Sequence, residues 1–112
     1  MEKVFNKLVR DNIPQIIRNN KEEAITRILS DEEYKIELEK KLNEEYLEVL
    51  SSSGKDRIEE LADMLEIIKC LSELENSNLG EVIEVAKQKS LKRGSFKKKI
   101  FLEKTRWNYG TI

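Results

Sequence analysis

The chain contains no histidine. That absence removes imidazole as a general base, excludes His-containing triads and leaves no His-rich zinc site. A single cysteine, Cys70, excludes an intramolecular disulfide and suits a reducing compartment. One proline, four glycines and three phenylalanines mark a helical chain with a lean core. No apolar run approaches the roughly 18 residues of a membrane span, and no charged-then-apolar leader opens the chain. These absences predict a soluble, cytoplasmic protein. Its chemistry would have to run on carboxylates, lysines, water and metal.

What the chain does have is charge. Charged and apolar residues each make up 38% of 112 residues, a length that predicts one domain spanning 1–112. A lean core of this size is marginal alone, so burial against a second subunit is expected. The formal net charge of −1 conceals an asymmetry. From Asp31 to Glu66 there are 13 acids and 5 bases, whereas Lys87 to Arg106 holds nine bases and one acid, Glu103. A cation-binding middle and an anion-binding end suit a metal-bound phosphate. The simpler alternative is a solvated helix face followed by a solvated tail.

Taken in order, the chain opens with an apolar and basic stretch, Val4 to Asp11, that has no helical period. Pro14 then starts a short helix ending near Asn19 and Asn20, with Arg10 and Asp11 at its entry, where free backbone N–H groups attract anions. Ala24 to Leu29 is β-prone. Ser30 and Glu33 form a capping box, opening a long helix to about Leu50. Ser51 to Ser53 and Gly54 end it, with glycine available for a left-handed exit. Asp56 and Glu59 repeat the capping pattern and open a second helix to about Leu74. That helix is apolar almost all round, which predicts burial on most sides at the centre of a bundle. Asn78 and Glu81 cap a third helix, from Leu79 to about Arg93, stopped by Gly94. A basic and aromatic end follows, closing with Trp107 and Tyr109. The short connection between the two long helices makes them antiparallel neighbours, so the expected fold is an all-α antiparallel helical bundle.

Four acids stand out within those two helices. Glu45 and Glu48 are spaced i, i+3 late in the first; Glu60 and Asp63 are spaced i, i+3 early in the second. At about 100° per residue, Glu45 lies within roughly 20° of Leu38, near the middle of the apolar stripe. Glu48 and Lys41 lie at its edge. Glu60 and Asp63 share an arc with Met64, Ile67, Leu71 and Leu74. Antiparallel pairing brings all four acids to one place, where they would repel one another unless neutralised. Oxygen-only donors select a hard cation, Mg²⁺ before Mn²⁺. Glu44 and Glu66 adjoin the cluster. The competing reading makes Glu48 and Asp63 ordinary surface acids and pairs Glu45 with Lys41.

Glu45-Tyr46-Leu47-Glu48 followed by Glu60-Leu61-Ala62-Asp63 resembles the paired ExxE and ExxD motif of the MazG-like, all-α nucleotide pyrophosphohydrolases. Lys7 to Pro14 is similar to the opening of the subgroup labelled phosphoribosyl-ATP pyrophosphohydrolase-like. Lys92 to Phe96, with Ile100 to Leu102, is similar to its close. The resemblance therefore spans nearly the whole chain. It implies Mg²⁺-dependent cleavage of a nucleotide between its α- and β-phosphates, giving a nucleoside monophosphate and pyrophosphate. It also implies a homo-oligomer, dimer or tetramer, with sites at subunit contacts.

On this reading Glu45, Glu48, Glu60 and Asp63 hold one or two Mg²⁺ ions, with Mn²⁺ as a substitute, and Glu45 is the first choice of base. Arg10, Lys7, Lys92, Arg93, Lys97 and Lys98 are candidates for substrate phosphate contacts, the two arginines foremost because guanidinium grips phosphate bidentately. Phosphoribosyl-ATP is an alternative substrate. A helical module binding RNA or an acidic partner through the basic end is the non-enzymatic alternative. No membrane partner is expected, and nucleic acid is not the favoured ligand.

Overall fold

The computed structural model describes residues 1–107, so Tyr109 lies outside the described residues. It contains α1 (Ile13–Asn19), α2 (Asp31–Ser51), α3 (Gly54–Leu74) and α4 (Leu79–Arg93), and no strand among the described residues. The protein is all-α. None of its described helices is long and apolar enough to cross a membrane.

Local chemistry accounts for most helix ends. At α2 the Ser30 hydroxyl accepts from the Glu33 backbone N–H at 3.2 Å, and the Glu33 carboxylate accepts from the Ser30 N–H at 3.3 Å. The two bonds close the expected capping box, a motif in which loss of the cap side chain costs about 1 kcal/mol. Arg27 reinforces it by donating to both oxygens of Glu33, at 3.2 and 2.8 Å. This pairing and the Ser30 backbone hold the Glu33 carboxyl down at about 2. Pro14 sits in the first turn of α1, as its fixed φ permits. Gly94, at φ +86°, follows the last residue of α4 in the left-handed conformation that ends helices.

Three expectations are corrected. Ala24 to Leu29 forms no strand: a strand needs a partner ladder, and Ile25 and Ile28 stand exposed with none. The second long helix begins at Gly54 rather than Asp56, behind Ser53, whose side chain makes no cap bond. Gly54 does take the left-handed conformation, at φ +58°, but as the first residue of α3 rather than as an exit from α2. Only Ser52 and Ser53 therefore separate the two helices, and the Arg57 guanidinium secures them by donating to the Ser52 carbonyl at 2.9 Å.

The third correction concerns burial. The chain forms two compact units, Met1–Leu79 and a second starting at Gly80. In the first, α2 and α3 pack on each other. The buried apolar side chains are Leu38 of α2, 3% exposed, and Ile67 of α3, 7% exposed. The rest of α3 does not follow its apolar composition inward. Ile58, Leu61 and Leu65, spaced i, i+3, i+7 on the side away from Ile67, are 67%, 44% and 46% exposed. Apolarity on every face of α3 marks the side that α2 covers and a second side that the described residues leave exposed. In the second unit every described residue from Gly80 to Trp107 is exposed.

Candidate metal centre

The α2–α3 loop sets the site. Because only two serines join the helices, residues equally far before and after the loop meet across the interface. Glu45 precedes the last residue of α2 by a little under two turns, and Glu60 follows the first residue of α3 by the same distance. Asp63 lies one turn further along the same arc of α3. Glu45, Glu60 and Asp63 each present a carboxylate oxygen within 4.8 Å of the other two, and all three side chains are half-buried.

Glu48 does not join them. Its side chain is exposed and lies outside that set. The same i, i+3 spacing that brings Asp63 in beside Glu60 leaves Glu48 at the rim, because the α2 interface centres on Leu38, Leu42, Glu45 and Val49. Glu44 is exposed and pairs with Lys41 at 3.5 Å, so the expected alternative of a Lys41–Glu45 pair is not formed. Glu66 is half-buried but lies outside the three-acid set.

Glu45 carries the electrostatic signature of the site. Its Oε2 is buried with no hydrogen-bond partner. Burial, then a proton shared with the Glu60 carboxyl, then the negative charges of Asp63 and Glu60 push the Glu45 carboxyl up to about 7, against a small opposing pull from Lys41. A carboxylate oxygen in that position needs a proton or a cation. Three oxygen donors this close, with no nitrogen or sulfur among them, could hold a hard divalent ion.

Among the expected phosphate contacts, the structure brings Arg10 to the acids. Its Nη2 donates to Asp63 Oδ1 at 2.8 Å, joining residues 53 apart in sequence. Lys7 stands over the Phe5 ring, its Nζ 5.8 Å from the centroid. Lys92 and Arg93 end α4, and Lys97 and Lys98 follow in the loop beyond it, all exposed. Arg93, Lys97 and Lys98 line an open cleft of about 500 Å³ with Phe96 in the second unit. Sequence reasoning missed Arg57, which holds the loop that sets the site's register. The signal available was a basic residue within one turn of a helix start, facing the carbonyls left free at the preceding helix end.

No family model matches the chain, and no solved structure matches it. Over 49 residues, 44% of this chain, it is 43% identical to an uncharacterized protein of Mycolicibacterium smegmatis. The match covers 50% of that protein, so the chain spans about half the length of the curated relative it matches.

Proposed function

We propose that this protein is a Mg²⁺-dependent pyrophosphohydrolase that cleaves a nucleoside triphosphate between its α- and β-phosphates, releasing nucleoside monophosphate and pyrophosphate. The observation that carries the reading is the convergence of Glu45, Glu60 and Asp63, with one Glu45 oxygen buried and unpartnered. The resemblance of the ExxE and ExxD segments to MazG-like enzymes supplies the reaction. Glu45, Glu60 and Asp63 are the side chains that would hold the cation. The ion's chemistry is electrophilic: it offsets phosphate charge and acidifies water. Glu45 accepts the proton of the attacking water. As water adds to phosphorus, the bond to the bridging oxygen breaks and its electron pair leaves on pyrophosphate. Arg10, which is paired with Asp63, would contact a phosphate in this reading.

Pyrophosphate release measured over a panel of nucleoside triphosphates, with and without Mg²⁺, tests this directly. Release that requires Mg²⁺ is the expected outcome, and no release from any triphosphate would refute the assignment. Phosphoribosyl-ATP belongs in the same panel; a tenfold preference for it would reassign the substrate and keep the reaction. The exposed Phe96 and Phe101, set among lysines, favour a second reading as a module that binds RNA. That version predicts salt-sensitive, metal-independent RNA binding and no turnover.

The working form in this proposal is a cytoplasmic homo-oligomer, its extra burial provided by the open side of α3. Ile58, Leu61 and Leu65 repeat at the spacing of a helix–helix seam. Charging it with Leu61→Glu and Leu65→Glu together is expected to give a monomer by light scattering. A wild type that is already monomeric at micromolar concentration would reject this arrangement.

A further inference from the structure

Arg10 does more than stand near the acids: it occupies one of them. Its guanidinium is bonded to Asp63, one of the three residues that would hold the cation. The contact is not an accident of a loose end. Leu8 and Val9 just before it are half-buried, and the Arg10 carbonyl accepts from the Ile13 N–H at 3.0 Å, tying the residue to the start of α1. The pair is nonetheless open to solvent, with Arg10 58% and Asp63 44% exposed at the side chain. An exposed ion pair is weak and easily exchanged. A competing cation at Asp63, or a better anion for the guanidinium, would exchange it.

We infer that Arg10 is a resident counter-ion that makes the acid site select a cation bound to a polyphosphate over the bare cation. The inference rests on the metal-dependent reading above. A free divalent ion competes with Arg10 for the Asp63 carboxylate, and where it displaces the guanidinium it leaves that group without a partner. A cation carrying a di- or triphosphate competes too, but brings phosphate oxygens to which Arg10 transfers. The first exchange loses an ion pair; the second replaces a carboxylate partner with a phosphate that guanidinium grips bidentately. Arg10 is thus a positioning and selecting residue, and the ligand class it selects is a metal–polyphosphate chelate.

The test compares two probes on wild type and Arg10→Met, which keeps an aliphatic stem of similar length. Mn²⁺ alone is titrated with the free ion counted by electron paramagnetic resonance. Mg²⁺-saturated inorganic pyrophosphate is titrated by calorimetry. Arg10→Met is expected to bind bare Mn²⁺ about two- to fivefold tighter than wild type. It is expected to bind Mg²⁺-pyrophosphate about tenfold more weakly. Arg10→Lys, with the charge but not the fork, falls between and serves if Arg10→Met fails to fold. Unchanged Mn²⁺ affinity, or a parallel weakening of both probes, would overturn the inference by making Arg10 a structural residue. Glu45→Gln is the control: if it binds Mn²⁺ as wild type does, the metal reading itself is wrong, a result distinct from either outcome at Arg10.

Discussion

Replacing Glu45 by Gln is expected to reduce Mg²⁺-dependent pyrophosphate release by at least about 100-fold, the contribution of a positioned general base. The amide keeps the shape of the carboxyl but can neither accept the water's proton nor offer an anionic oxygen. Asp63→Asn should lose activity too, with a different signature. In the proposed mechanism it removes a cation donor and the anchor of Arg10 at once, so the Mg²⁺ concentration giving half-maximal rate should rise as the rate falls. Glu48→Gln, by contrast, should be close to neutral, because that side chain is exposed and outside the three-acid set. A Glu48 variant as inactive as the Glu45 variant would show that the working site draws in the fourth acid. A Glu45 variant with full activity would end the carboxylate mechanism.

The second large effect is on stability, and it runs in the unusual direction for a site mutation. In the metal-free protein the Glu45 carboxyl is held at about 7, above its ordinary value of 4.5. Below 4.5 both folded and unfolded chains carry the proton, and the site exacts no penalty. As pH rises from 4.5 to 7 the unfolded chain ionises while the folded one does not, so stability falls through that window. Above 7 the folded protein carries the full repulsion among Glu45, Glu60 and Asp63. Glu45→Gln should therefore raise Tm at pH 8, by roughly 5 °C, the response of a domain this size to about 1 kcal/mol. At pH 4 it should change Tm little. Mg²⁺ should raise the Tm of wild type at pH 8 by binding the folded state, and should do less for the variant. Calorimetry at the two pH values decides; equal shifts at both would mean that Glu45 is not strained by its neighbours.

Much of the helical framework could be read from local chemistry. Ser30 with Glu33 marked the start of α2, and Gly94 marked the end of α4, because capping depends on residues three or four apart. The acid pairing also followed from local facts: two helices, a short loop and the phase of Glu45 within its apolar stripe. The failures share a cause. Ala24 to Leu29 has β propensity but no strand to pair with, which no local window can reveal. The start of α3 depended on Gly54 tolerating φ +58°, a conformation glycine permits without requiring. The exclusion of Glu48 turned on which side of its arc faced α3. The Arg10–Asp63 pair joins a segment before α1 to the middle of α3, and spacing along the chain carries no trace of it.

The two-serine loop has a kinetic consequence. Glu45, Glu60 and Asp63 fall within a stretch of chain that closes on itself through Ser52 and Ser53, so the α2–α3 hairpin can assemble them from local contacts alone. Short-range closure of this kind is among the fastest events available to a chain. Arg10 must come from 53 residues away and pays the larger loop entropy. Loop closure alone therefore favours the acids meeting before their counter-ion reaches them. Until Arg10 arrives, the nascent hairpin holds its three carboxylates together without their arginine.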